Sequence, residues 1–435
     1  MKHLLFLMIV CLLGESAASQ NIETEKLDDY LEALNHNDRF MGTISVSAGE
    51  IKKYTKSVGF ASIESEKKAT PASTYQIGSI SKSFTAALVF QAIEKGKLSL
   101  STPLSDFFPS LPNAKEITVD LLLSHRSGIH NFIDHPDFQK WYTKPKTKEE
   151  LIEIIKTGGT DFAPASETRY SNSNYVILSY ILETVYNKPY ASILKQYITE
   201  PLQLTDTYLG AQDDRTCQSY RYFDKWRIES VTHPSVTMGA GAIISTTSDL
   251  NRFFHALFQG KIVSAQSLEI MKDTSLKYGR GLMRFPFHKK SGYGHTGGID
   301  GFQSIAIYFP EDQIAYSFTS NASNYQVNNI NITVLSAVYN MPFEVPPFQT
   351  VALKPVDLDK YVGIYASSQL PIKLHVTRLD NSLMAQGTGQ PAFPLEAFAE
   401  HTFRFDQAGI VLIFDVTNHT MILKQGGGTF MMKRE

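Results

Sequence analysis

The residues with the clearest chemical potential are Ser79 and Lys82, within Gly78-Ser79-Ile80-Ser81-Lys82-Ser83-Phe84. Ser73 to Gly78 reads as a short approach segment ending in a glycine. Phe84, Leu88 and Ala92 then recur at helical spacing and Gly96 supplies a stop, so a helix over Ser79 to Lys95 is expected. Residues i and i+3 share a helix face, which sets the Lys82 amine beside the Ser79 hydroxyl. Ser79 falls at the N-terminus, where unpaired backbone N–H groups and the helix dipole favour a developing negative charge. An amine that takes or steers the proton, with backbone donors on the oxyanion, is one way to make a hydroxyl attack a carbonyl.

The same spacing recurs at Ser65–Lys68 and Ser192–Lys195, so it does not identify a site unaided. Ser65–Lys68 lies in the charged run Glu64-Ser65-Glu66-Lys67-Lys68 ahead of Pro71 and reads as a solvated loop. Ser192–Lys195 sits inside a helix that begins near Pro189, without a nucleophile-like context.

Two further groups accompany the first. In Arg169-Tyr170-Ser171-Asn172-Ser173-Asn174-Tyr175, directly before a helical stretch, Asn and Ser are ordinary N-caps, a role expected for Asn174. Tyr170 and Asn172 would face one side of an extended segment. A phenol near a lysine ammonium is expected to lose its proton more readily than free tyrosine, whose pKa is about 10. The Asn172 amide suits a substrate carbonyl. The third group, Gly294-His295-Thr296-Gly297-Gly298, is placed on an exposed strand where glycine lets a substrate approach closely.

These three groups, in this order, resemble the serine hydrolases that share the class C β-lactamase and penicillin-binding fold, which carry Ser-x-x-Lys, Tyr-x-Asn and Lys-Thr-Gly or His-x-Gly. Leu121 to Gly128, Glu200 to Leu204 and Gly239 to Thr246 add to the likeness, which covers roughly residues 25 to 340. The resemblance implies an α+β domain, an antiparallel sheet flanked by helices with a helical subdomain. It implies that Ser79 is the acylated nucleophile, with Lys82 and Tyr170 as proton-transfer partners in an order the sequence leaves open. Asn172 would bind the substrate amide, His295, Thr296 and Gly297 would form the opposite wall, and the backbone N–H groups of Ser79 and Gly298 would make the oxyanion hole.

Two positions depart from the family pattern. Arg126 stands where a threonine is common, a change read as a local structural one. His295 stands where β-lactamases carry lysine; an unperturbed histidine, with a pKa near 6.5, is mostly neutral at pH 7 and anchors a penicillin carboxylate weakly. His-x-Gly is similar to the esterase and D-peptidase branch. His125, His130 and His135 are spaced five apart, which matches neither one helix face nor a zinc pattern. No phosphate loop or dinucleotide fingerprint is present, and no cofactor or metal is expected.

The elements that must position these groups follow from the rest of the chain. With 435 residues, 43% hydrophobic and 19% charged, it is long enough for two or more packed domains. A net charge of −2 with dispersed Lys and Arg argues against nucleic acid as a partner. Met1-Lys2-His3, the apolar run Leu4 to Leu13 and the small residues Ser16 to Ser19 read as a signal peptide over 1–20, implying export to the periplasm or medium and no stable membrane span afterwards. Cleavage would remove Cys11 and leave Cys217 unable to form an internal disulfide.

Residues 21–341 read as the hydrolase domain. Strands at Gly42 to Ser47 and Lys53 to Ser62 open it, helices at Val119 to Ser124, Lys148 to Lys156, Tyr175 to Tyr186, Ser248 to Phe258 and Ser264 to Met271 fill it, and strands at Phe302 to Phe309 and Ile314 to Thr319 precede a last helix. A sheet built from both ends of that segment is expected. Pro342 to Pro355 marks a stiff linker, 342–355. In 356–435, seven short strand-like segments separated by turn residues indicate a small antiparallel barrel or sandwich.

The chain is therefore read as an exported serine hydrolase acting on a small-molecule ester, peptide or β-lactam through an acyl-enzyme, favouring a carboxylesterase or D-peptidase. The alternatives are a β-lactamase or D-alanyl-D-alanine carboxypeptidase, and, in another class, a catalytically idle binding protein whose barrel holds a partner.

Overall fold

The computed structural model describes residues 22–435 apart from 224, 347, 349, 350, 352, 426 and 427. The expected leader and Cys11 lie outside the described residues, as does part of the expected linker. Among the described residues no helix is long and apolar enough to cross a membrane.

The segment's two ends meet in one antiparallel sheet. Its strands are β1 (Phe40–Ala48), β2 (Ile51–Val58), β3 (Met283–Phe287), β4 (Lys290–Ile299), β5 (Phe302–Phe309) and β6 (Ile314–Ser323), in the spatial order β3-β4-β5-β6-β1-β2. Both faces are covered, which is why β5 and β6 read as nearly continuous apolar runs. Ile305, Ile307 and Phe309 pack with α1 (Thr24–His36) and α7 (Val327–Val338), through Leu27, Leu31, Ile330 and Val334. Ala306 and Tyr308 point the other way, into the core of the helical region. Alternation along a strand produces both contacts.

That helical core is built around α2 (Ser81–Glu94), with α3 (Val119–Leu123), α4 (Asn172–Tyr186), α5 (Pro234–Gly241) and α6 (Thr247–Phe258) about it. The Phe84 and Phe253 rings stack at 3.7 Å, joining α2 to α6. The expected apolar stripe on α2 is only part of its buried surface, because Ser81, Lys82, Ser83 and Thr85 are buried as well. Each of the hydroxyls has a partner: Ser81 Oγ accepts from Ile243 N, Ser83 Oγ donates to Gly281 O, and Thr85 Oγ1 lies 2.7 Å from Gly239 O. A helix enclosed on all sides holds its residues in one place, and the candidate lysine is among them.

The C-terminal strands close into a barrel: β7 (Gly363–Ala366), β8 (Leu374–Leu379), β9 (Ser382–Gly387), β10 (Phe393–Ala399), β11 (Thr402–Phe405), β12 (Ile410–Asp415), β13 (Thr420–Gln425) and β14 (Gly428–Arg434). Val376, Ala385, Phe403, Leu412, Met421 and Met432 fill its interior, leaving a packed core in place of a channel. Strand β10 escaped the sequence reading because Pro394 interrupts it, yet Pro394 pairs opposite Met384 at an exposed position. Strand β3 was missed for the same reason, with Pro286 on the sheet edge where a missing N–H costs least.

Candidate active site

Ser79 sits in a short 3-10 turn, Gly78–Ile80, that opens α2. Gly78 has a φ of +50°, and a Cβ there would lie 2.8 Å from the Gly298 nitrogen. A Cβ at Gly297 would lie 2.0 Å from the Ile77 carbonyl oxygen, and Ser304 Oγ donates to that same oxygen at 2.9 Å. Glycine at 78 and 297 therefore lets the Ser79 turn and β4 touch backbone to backbone. Gly298 faces open space, and its register partner is Gln303.

Lys82 is fully buried, with Nζ 2.9 Å from Ser79 Oγ, 2.7 Å from Asn172 Oδ1 and 2.7 Å from Ala240 O. No carboxylate is among these partners, and burial holds its pKa well below the ordinary lysine value of 10.5. At Ser65–Lys68 and Ser192–Lys195 all four residues are exposed. Burial separates the candidate pair from its copies.

Helix α4 begins at Asn172, so its cap position is Ser171, three residues earlier than the cap expected at Asn174. The acceptor for the helix start comes from another segment: Asn131 Oδ1 takes both the Asn172 backbone N–H at 2.9 Å and its Nδ2 at 3.2 Å. This fixes which side of the Asn172 amide faces Lys82. Asn174 is instead buried inside the helix, where Oδ1 accepts from Ser127 Oγ at 2.7 Å. Ser171 is extended (φ −140°, ψ 123°), so Tyr170 and Asn172 do approach Lys82 together, with Nζ 4.9 Å from the Tyr170 ring centroid.

The expected acidification of Tyr170 is reversed. Burial pushes its phenol above the usual tyrosine range, and the Ser79 hydroxyl beside it offsets only part of that rise. The nearby amine is itself desolvated, so it supplies little field to draw off a phenolic proton. His125 backs the ring, stacked at 4.3 Å, and its Nδ1 accepts from the Ser171 N–H at 3.2 Å. Arg126 holds the approach to Tyr170: its Nη2 donates to Ala165 O at 2.6 Å, and Ala165 N donates to Arg126 O at 2.9 Å. His130 pairs instead with Asp161, and His135 Nδ1 accepts from Asp137 N. The three histidines thus go to three places. Asn131 and His125 were missed as site residues because loop residues distant in sequence carry no periodic signal.

On β4, Thr296, Gly297 and Gly298 line the cleft, whereas His295 is buried beside it, its ring centroid 6.4 Å from that of Tyr170. Its Nδ1 lies 2.6 Å from Thr296 O, and burial followed by the Lys82 amine lowers its pKa to about 3. An unfolded His295 takes a proton near pH 6.5, while the folded one does so only near 3. Its contribution to stability is present above 6.5 and declines as pH falls toward 3, by about 1.4 kcal/mol per pH unit. His125, also buried and lowered, acts in the same direction. The urea midpoint is expected to drop steeply between pH 6.5 and 4, and less steeply in His295→Gln. Equal slopes in the two proteins would refute this account.

The cleft holds about 800 Å³ and is lined beside Ser79 and Asn172 by Ile133, Phe138 and Tyr142. Its other end carries Arg221, Glu229 and Asp300; Arg221 Nε pairs with Glu229 at 2.7 Å, and Asp300 accepts from Thr232 N and Oγ1. Arg221 is the cleft's only lining arginine or lysine among the described residues.

The family model described as Beta-lactamase matches residues 27–337. The chain is similar to penicillin-binding protein 4* of Bacillus subtilis (strain 168), 25% identical over 420 residues, spanning 87% of this chain and 90% of that one. It is similar to the teichoic acid D-alanine hydrolase of Staphylococcus aureus (strain MRSA252), 25% identical over 325 residues, 72% of this chain and 78% of that one. Among solved structures it is similar to the D-amino acid amidase from Ochrobactrum anthropi SV3, with a TM-score of 0.64 and 25% identity over 72% of this chain and 99% of that one. The chain belongs to the beta-lactamase family, and it is an enzyme of the serine hydrolase kind.

Proposed function

We propose that this enzyme is an exported hydrolase that cleaves D-aminoacyl esters or amides through an acyl-enzyme on Ser79. The observation that carries the reading is the surroundings of Lys82. A neutral amine has two N–H donors and one lone pair. In the neutral amine that burial favours, the carbonyl oxygens of Asn172 and Ala240 take the two donors and the lone pair turns to the Ser79 hydroxyl, 2.9 Å away. In this reading Ser79 Oγ attacks the carbonyl carbon as its proton passes to Lys82 Nζ. The oxyanion rests on the backbone N–H groups of Ser79 and Gly298, and the C–O or C–N bond breaks as the leaving group takes up a proton delivered through Tyr170. Water then attacks the acyl-serine ester, and Ser79 recovers its proton.

The substrate class follows from charge. His295 is neutral, and the lining arginine is already paired, so among the described lining residues a penicillin carboxylate or a C-terminal carboxylate finds no free cation. Two lining carboxylates against one guanidinium suit a substrate that carries an ammonium. The Ile133, Phe138 and Tyr142 wall suits an apolar side chain. The D-alanine hydrolase and the D-amino acid amidase to which the chain is similar support the same choice.

The test compares D-alanine p-nitroanilide, a short-chain p-nitrophenyl ester and a chromogenic cephalosporin, in wild type and Ser79→Ala. Anilide and ester turnover that vanish in the variant, with little cephalosporin turnover, are expected. Cephalosporin turnover equal to or faster than that of the ester would overturn the charge argument. Turnover that survives in Ser79→Ala would overturn the nucleophile.

A further inference from the structure

The cleft does not end at the hydrolase domain. A second cavity of about 1070 Å³ lies between that domain and the barrel, and Arg221, Asp300, Gln303 and Val327 line both. The two spaces therefore adjoin along one rim, and the second is a groove between the domains. Its far wall is barrel surface: Ser382 and Ala392, both exposed, with Phe393, Glu396 and Gln407. The barrel is fastened there by several contacts. Arg39 pairs with Glu396 and, at 3.4 Å, with Asp406, while Gln407 Nε2 donates to Asn324 Oδ1 at 2.7 Å.

Charge in the second cavity cancels. Arg39, Arg221 and Arg404 face Asp300, Glu396 and Asp406, and every one of these guanidiniums is ion-paired. What remains toward the space are amides such as Gln303 and Gln326 and the rings of Tyr222 and Phe223, the latter 61% exposed. A polymer with a phosphate at every repeat gains affinity when unpaired Lys or Arg replace its counterions, which are released to solvent, and among the described residues this lining offers none. A peptide needs amide partners and ring surfaces, which it does offer. The first cleft alone is already large enough for a single aminoacyl group with its leaving group.

We infer that the groove between the domains binds the part of a peptide chain remote from the scissile bond, so that the enzyme acts on D-aminoacyl peptides in preference to a D-alanylated polyanion. This rests on the reading of Ser79 given above. The barrel then serves as a specificity wall of the active site, and binding energy gained there is available to the reaction at Ser79.

The experiment uses the full chain with three probes: D-alanine p-nitroanilide, peptides extended by two and four residues on either side of a D-alanyl bond, and D-alanylated poly(glycerol phosphate). Lengthening the peptide on one side is expected to raise kcat/KM about tenfold or more, mainly through KM. Ser382→Trp, at the start of β9, and Ala392→Trp, directly before β10, fill the cavity without removing a contact to the hydrolase domain. Each is expected to abolish that gain while the anilide keeps its rate within about twofold. Three results would overturn the inference: no gain with length, a gain that survives both tryptophans, or faster turnover of the polyanion than of the peptide. If the anilide itself shows no Ser79-dependent turnover, the underlying hydrolase reading fails too; if the anilide is cleaved and length has no effect, only the groove fails.

Discussion

Lys82→Arg is expected to lower kcat on every substrate by on the order of a thousandfold or more, although it conserves the formal charge. The reason is the surroundings of Nζ. Its neighbours are a hydroxyl and two carbonyl oxygens, in a fully buried site without a carboxylate, and desolvation favours the neutral amine. A guanidinium cannot shed its proton in a protein and so offers Ser79 no lone pair. The wild-type profile should show the same requirement. On the proposed mechanism acylation requires neutral Lys82, so kcat/KM should rise with pH through an acid limb lying far below 10.5. The rate of labelling by a fluorophosphonate should follow the same limb, which checks the claim without any variant. If Lys82→Arg folds and keeps activity within about tenfold, the amine acts as a fixed charge and the base lies elsewhere.

How much of this was readable in advance depended on the kind of signal. The Ser79–Lys82 pair was legible because helical spacing is local, and the sheet from two chain ends was legible because its strands are long and apolar. The protonation state of Lys82 was not, since it comes from burial on every side of α2. Ser81, Ser83 and Thr85 are polar residues that are nonetheless buried, satisfied by Ile243, Gly281 and Gly239 from other segments. The same limit explains Tyr170. Reasoning from one neighbouring cation predicts an easier proton loss, and only the enclosed ring beside His125 reveals that desolvation dominates. Asn174 looked like a cap because capping is usually local, whereas here Asn131 supplies the acceptor from 41 positions away. The small sheet of Tyr75–Gln76, Tyr208–Leu209 and Ile243–Ser245 is too short to show any period.

The raised pKa of Tyr170 leads to the second large effect. A phenol that stays protonated is a poor base but a competent proton donor, and its position beside Ser79 places it near a departing group. The value of that proton depends on what leaves. A nitrophenolate departs unaided, whereas the nitrogen of an amide must be protonated before its C–N bond breaks. Tyr170→Phe is therefore expected to lower hydrolysis of D-alanine amides by about a hundredfold to a thousandfold, and p-nitrophenyl ester hydrolysis by no more than about tenfold. The substitution keeps the ring that stacks on His125, so positions in the site should change little. Steady-state kinetics on matched ester and amide pairs would decide the matter. An equal loss on both would mean that Tyr170 acts before the leaving group departs, as a partner in the attack of Ser79. A loss confined to the amide would assign the first proton to Lys82 and the second to Tyr170, dividing between two buried groups a task that neither could perform in both directions.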